Sequence, residues 1–427
     1  MSSQLSPFSP SKHARLLPGA GIPFVESLAK KLHCRLETSF DKLETFRDTW
    51  DDATSRLGGS IYLSYDWARL WWEFYGDGKA LRIFIFSVGD QIVGILPIYV
   101  EVIRFGPISL KIARLIGSNI PPKVFNPPVD PALADDVFQH VLLQLIRDEG
   151  CDALSFGPVS ELHCSAEALS RTALLALGLV VQASDLSNGV HSVWHLPETM
   201  GEYFQSLSRN ERKNRKADLK KLRTEHVGRV EVVCEPGQVE AEFENFLQQH
   251  AAQWAAEGRT GHFGAWPRAA EFNRALVKAH GRLRRVRFVR ILAGEKTITN
   301  LYAFAFGGCY YCELPARSID TQWDRFSLGP IGIVATIDAA IGERITRMEG
   351  GLGHYDYKLR LNAKEHKTRI LRAAANRPSS RLRFLFFTLL RTCGHFGYLK
   401  LWHQRLLPHL PIRLKRPQSR AWLSLDF

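Results

Sequence analysis

The feature that most limits how this chain can fold is a pattern written twice. Residues 81–88 and 92–100 are rich in Ile, Phe and Val and flank Gly89-Asp90-Gln91; residues 286–292 and 297–306 flank Gly294-Glu295-Lys296 in the same way. Each is a β-hairpin signal, two apolar strands joined at a tight glycine turn. Each also follows helical sequence and precedes a longer α/β stretch. Agreement in both pattern and position points to a duplicated α/β unit.

With 427 residues, 45% of them hydrophobic, the chain is long enough to bury a core in each of two units. Residues 40–75 read as helix, broken at Gly58-Gly59, with Trp67, Trp71 and Trp72 in the second part. Residues 135–148 form an amphipathic helix through Val137, Val141, Leu142 and Leu145. Strands at 154–156, 179–183 and 190–196 surround a helix at 166–177. The second half opens on two capping boxes, Thr199 with Glu202 and Ser208 with Glu211, in which side chains satisfy the free N–H groups of a helix start. A strand at 230–234, helices at 239–257 and 267–280, a meander over 286–314 and a helix at 328–342 follow. The expected division is a Ser- and Pro-rich leader at 1–35, α/β domains at 36–196 and 197–375, and a tail at 376–427.

The formal net charge of +13 favours an anionic partner: nucleotide phosphate, nucleic acid or a membrane surface. Past Arg377 the tail sets Arg381, Arg383, Arg391, Lys400, Arg405, Arg413, Lys415, Arg416 and Arg420 against one acid, Asp426, with Phe384 to Phe387 and Leu389-Leu390 between them. Two readings stand: a basic amphipathic element making peripheral contact with anionic lipid, or a helical cap on the body with its arginines snorkelling outward. Seven scattered cysteines do not suggest a disulfide framework, so a reducing, cytoplasmic setting is expected. Cys309 and Cys312 have CxxC spacing but lie in a β-forming run, where residues three apart face opposite ways; no metal is expected. No apolar run approaches the roughly 20 residues that span a bilayer.

Three segments carry candidate chemistry. In Asp324-Arg325-Phe326-Ser327-Leu328-Gly329-Pro330-Ile331-Gly332 a strand gives way to an apolar helix, and small residues at such a start let backbone N–H groups approach a pyrophosphate. Arg325, Ser327, Leu328, Gly329 and Gly332 are therefore candidate cofactor-binding residues. The second segment is a run of cations in which Arg209, Lys213, Lys216, Lys220 and Arg223 share one helical stripe, with Arg212 beside it. Arg212 and Lys216 are its candidate ligand contacts; a solvated face is the alternative. The third, Glu349-Gly350-Gly351-Leu352-Gly353-His354-Tyr355-Asp356-Tyr357-Lys358, gathers Glu349, His354, Asp356 and Lys358 on glycine-rich backbone as candidate acids and bases. No nucleophile elbow, Walker A loop, HExxH helix or Rossmann fingerprint is present.

In order, Ser208 to Lys216, Gly294-Glu295-Lys296 with Tyr302, Gly308-Cys309-Tyr310-Tyr311, Asp320-Thr321-Gln322-Trp323, Ser327-Leu328-Gly329 and Tyr357-Lys358 resemble the GNAT-superfamily acetyltransferases of the CelD (cellulose biosynthesis) type, related to the Fem aminoacyl-transferases. The resemblance runs over roughly residues 40–370. It implies an α/β (α+β) fold of two tandem GNAT-like domains, each a mixed, largely antiparallel sheet flanked by helices, ahead of a basic helical C-terminal tail. It also implies acetyl-CoA or another acyl-CoA as co-substrate with no permanently bound cofactor, and an amine or hydroxyl acceptor that the sequence does not identify. Ser327 and Gly329 would lie near the donor phosphates and Lys358 near the reaction cleft. The tryptophan expected after Tyr-Lys is replaced by Leu359-Arg360-Leu361. Two other expectations compete: transfer from aminoacyl-tRNA, which the cation stripe suits, and a non-catalytic partner in envelope-polysaccharide synthesis.

Overall fold

The computed structural model describes residues 31–118, 123–177, 180–184, 189–259 and 261–397, with 405, 406 and 409 beyond them. Most of the expected leader, and the tail past Gly397 apart from those three residues, lie outside the described residues. The fold is mixed α/β around one large, mostly antiparallel sheet of thirteen strands.

The repeated hairpin marks a repeated sheet. β1 (Leu32–Glu37), β2 (Ala80–Val88), β3 (Gln91–Phe105) and β4 (Ile108–Leu115) are antiparallel, and β5 (Ala153–Ser160) adds to β4 in parallel. After β6 (Val180–Ser184) and β7 (Val190–His195) the scheme recurs. β8 (Gly228–Val233), β9 (Val286–Ala293), β10 (Lys296–Phe306) and β11 (Cys309–Arg317) are antiparallel, and β12 (Arg347–Leu352) adds to β11 in parallel. The two hairpins are β2–β3 and β9–β10, the second and third strands of each run.

The last strand ties the runs together. β13 (Lys364–Ala374) pairs β7 over 364–367, β5 over 368–374 and β6 over 370–374. β7 in turn pairs β12. A strand from early in the chain therefore extends the second sheet, while the final strand completes the first.

The helices follow from local sequence. In α1 (Arg47–Arg56) and α2 (Tyr65–Tyr75) the apolar face is aromatic: Trp50, Trp67 and Trp71 are fully buried. α3 (Ala134–Leu143) buries Val137, Phe138, Val141 and Leu142, the stripe its periodicity demands. α4 (Ser165–Leu177) follows β5. At α5 (Met200–Ser206) both bonds of the Thr199–Glu202 capping box are made. At α6 (Arg209–His226) only half the second box forms: Ser208 accepts from the Glu211 N–H, but the Glu211 carboxylate pairs with Arg215 instead. α7 (Pro236–Ala256), α8 (His262–Ala265) and α9 (Ala269–Arg282) cover one face of the second run, and α11 (Asp356–Arg360) leads into β13.

α10 (Leu328–Gly342) is apolar all round and accordingly buried on most sides, between Val289, Ile291 and Ile298 and the cluster of Leu301, Ala303 and Tyr310. The two runs share a core: the Trp67 ring of α2 meets Phe272 and Phe304 edge-on at 6.0 and 5.4 Å. α12 (Pro378–Phe396) packs Phe384 and Phe387 against Ile103, Leu110 and Ile112, and is pinned by Ser380 and Arg383 to Asp152, the Ser380 hydroxyl 2.6 Å from its carboxylate. The described part of the tail is thus a cap on the body.

Candidate active site

β11 and β12 stay in register only where Cys309–Tyr311 faces Arg347–Glu349, and then they part. Each strand is irregular just past that point. On β11, Tyr302 opposes Leu314 while Ala303 opposes Cys312, so Glu313 is an extra residue, a β-bulge that re-aims its side chain. On β12, Gly350 and Gly351 bulge out between Glu349, opposite Val193, and Leu352, opposite His191. Gly351 has φ +77°, and a Cβ at Gly350 would come within 2.5 Å of the Trp194 ring. Only glycine fits either position without strain. The opening is a cavity of about 700 Å³, walled on the far side by Tyr62 and Lys123 from the first half and by Trp254 and Trp266.

A carboxylate projects from each lip. Glu313 is almost fully buried; Tyr62 Oη donates to its Oε1 at 3.0 Å and Lys123 Nζ to its Oε2 at 2.5 Å. Burial, with the Glu313 charge beside it, holds the Tyr62 phenol far above its ordinary pKa, so it remains a donor. Glu349 lies 3.0 Å from His191 Nδ1, and His191 Nε2 lies 2.7 Å from Ser160 Oγ. A carboxylate only accepts, so Nδ1 carries the hydrogen, and Nε2 makes the bond to the Ser160 hydroxyl. The Leu162 N–H donates to Ser160 Oγ, which anchors the end of the chain. Arg347 Nε stands 3.5 Å from the other Glu349 oxygen.

Lys358 sits on α11 facing the same space. Its ammonium donates to the Gly350 carbonyl at 2.7 Å and lies 4.5 Å from the centre of the Tyr355 ring. Burial pulls its pKa down to about 8. Of the four acid–base candidates read from the sequence, Glu349 and Lys358 line the cavity. His354 and Asp356 are exposed instead and belong to a surface ion cluster, with His354 Nδ1 2.8 Å from Glu365 and Nε2 3.2 Å from Asp356. The Glu365 contact raises the His354 pKa.

The candidate donor residues lie elsewhere. Ser327 precedes α10 without a side-chain capping bond, and Leu328 is buried with Trp323 and Phe326. Gly329 has open space where a Cβ would be, whereas Gly332 packs 3.5 Å from Thr299. Arg325 is held by Glu225 at 3.2 Å and His226 at 2.8 Å. Arg212 donates to the carbonyls of Gln205 and Leu207, and the Lys216 ammonium rests 5.0 Å from the Phe204 ring centre. α10 itself reaches the cavity through Ile333.

Sequence reasoning missed Tyr62, Lys123, Ser160, His191 and Glu313. None belongs to a motif, and their partners are far away in the chain. Only the Cys312-Glu313 step, an acid closing an otherwise apolar strand, offered a local signal.

Residues 209–359 match the family model described as Acetyltransferase (GNAT) domain, so this stretch, which holds both lips of the cleft, marks the chain as an acyltransferase. No curated protein matches the chain. Among solved structures it is similar to FemX (11% identity, 79% of this chain and 98% of that one, TM-score 0.46). It is similar also to L-PGS from Bacillus licheniformis (11%, 82% and 96%, 0.46). A tandem GNAT protein from the clavulanic acid biosynthesis pathway is a third such structure (11%, 81% and 99%, 0.40).

Proposed function

We propose that this chain moves an acyl group from a coenzyme A thioester to an amine or hydroxyl held between β11 and β12. The observation that carries the reading is the parting of these two strands inside the GNAT-matched stretch, with Glu313 and Glu349 facing one cavity from opposite lips. Glu349 takes the acceptor's proton as its nitrogen or oxygen bonds to the acyl carbon. The carbon–sulfur bond breaks, and the thiolate leaves with a proton from Lys358. An ammonium whose pKa is about 8 is well matched to a thiol of about 8.5. Glu313, fixed by Tyr62 and Lys123, orients the acceptor. The aromatic faces of Trp254 and Trp266 suit a sugar ring, in keeping with an envelope-polysaccharide acceptor. Arg325, Ser327 and Gly329 remain our candidates for the donor phosphates.

The test is thiol release from acetyl-CoA with a panel of amines and amino sugars. Glu349→Gln is expected to lower kcat by roughly 10²-fold or more while calorimetry finds coenzyme A affinity unchanged; an unaltered kcat overturns the assignment. A second donor, aminoacyl-tRNA, is favoured by one observation: Arg209, Lys213, Lys216, Lys220 and Arg223 are all exposed along α6. Binding of tRNA that weakens steeply with salt, together with no binding of coenzyme A, would favour it.

A further inference from the structure

α12 has two apolar faces, and the body of the protein uses one. Phe384 and Phe387 point inward with Ser380. On the opposite side Leu382, Leu385, Leu389 and Phe396 are 70, 65, 61 and 60% exposed. Spacings of three, four and seven residues stack these four on one stripe of the helix. Cys393, also exposed, falls on the same stripe. The patch continues onto the β3–β4 turn, where Phe105, itself 52% exposed, lies 6.1 Å from the Phe386 ring. Large apolar side chains in a continuous exposed row are unusual on a water-facing surface and mark a contact.

The surrounding charge says which contact. Arg381 is exposed at the border of the stripe, and Arg104 is exposed beside Phe105. From Asn376 to Phe427 the chain has ten arginines and lysines against the single acid Asp426, a net of nine positive charges out of the +13 of the whole chain. An apolar stripe bordered by cations is the design of a helix that lies in the plane of an anionic bilayer, its leucines among the acyl chains and its arginines among the headgroups. No helix among the described residues is long and apolar enough to cross a membrane.

We infer that the outward face of α12, together with the β3–β4 turn, docks this protein on an anionic lipid surface. The docking is peripheral and reversible. It is independent of the acyl-transfer reading, because it rests on residues that do not line the cleft cavity and is tested without turnover.

The experiment is co-sedimentation of the full chain with vesicles of phosphatidylcholine alone and of phosphatidylcholine mixed with phosphatidylglycerol. The chain is expected to pellet with the mixed vesicles, and binding should fall as salt screens the charge. The double variant Leu385→Asp/Leu389→Asp is expected to lose on the order of tenfold or more in partitioning. Both side chains are exposed, so its thermal unfolding should match that of the parent; Leu385→Ile/Leu389→Ile should bind normally. Equal pelleting with both vesicle types would overturn the role of charge. Absence of pelleting, with a dimer in size-exclusion chromatography that the Asp variant disrupts, would make the occupant a second copy of this chain and overturn the lipid assignment. Absence of both would overturn the docking surface altogether.

Discussion

At the scale of single residues, the proposal turns on how Glu349 and Lys358 are held. The Ser160–His191–Glu349 chain uses the imidazole as a spacer of fixed tautomer, so His191 is a positioning residue. His191→Gln should lower kcat roughly tenfold or more with little change in KM for acetyl-CoA; a loss of thermal stability with kcat per folded molecule unchanged would make the residue merely structural. Lys358 sets the alkaline side. With its pKa lowered to about 8, transfer should decline as pH rises through 8, and Lys358→Met should be slow and lack that decline. The same shift has a signed effect on stability. Between about 8 and the usual lysine value of about 10.4 the unfolded chain binds more protons than the folded one, so folding strengthens as pH rises through that window. Thermal melts of the parent and Lys358→Met from pH 7 to 11 would reveal it as a difference in slope. Glu349 and Lys358 were legible in the sequence because they lie in a short glycine-rich run. Glu313 and its holders were not: Tyr62 Oη and Glu313 meet across 251 positions, and Lys123 across 190. Arg325 was legible as a cation beside a glycine-rich helix start, but its pairing with Glu225 and His226 on α6, about a hundred positions away, was not.

At the scale of elements, the cleft is made by two irregularities in otherwise regular strands. Gly350→Val would drive a side chain into Trp194, and Gly351→Ala would force a Cβ onto a left-handed backbone; each should cost about 1 kcal/mol or more in denaturant melts. Their activity should fall further than their stability, since both reshape the lip that carries Glu349. Capping is a milder test: Thr199→Ala is expected to lose about 1 kcal/mol and leave acyl transfer intact. Hairpins, capping and amphipathic helices were readable because each is written within about ten residues. The bulges were not, because a bulge is a relation between two strands, and register depends on a partner the local sequence does not name.

At the scale of the whole molecule, the sheet is continuous and its core is common property. Trp67 from the first half sits among Phe272, Phe304 and His280 of the second, and Tyr62 packs on Tyr311 at 5.5 Å. Calorimetric unfolding should therefore give one transition for the described body; two resolved transitions would show that the halves are energetically separate. The hairpins made the duplication legible. They gave no sign that β7 and β13 cross between the two runs, since a strand's own residues say that it is buried and not beside which neighbour.

That crossing has a consequence for how the chain is born. Among the described residues β5 pairs only β4 and β13, and β6 pairs only β13. When residue 184 has left the ribosome, the free edge of β5 has no mate, and none arrives until residue 374 is synthesised. At roughly 5–20 residues per second, that wait is on the order of ten seconds or more. Throughout it the nascent chain displays an open, apolar strand edge, the kind of surface that pairs with the wrong partner. A fragment that stops short of β13 would keep that edge of β5 unpaired for good.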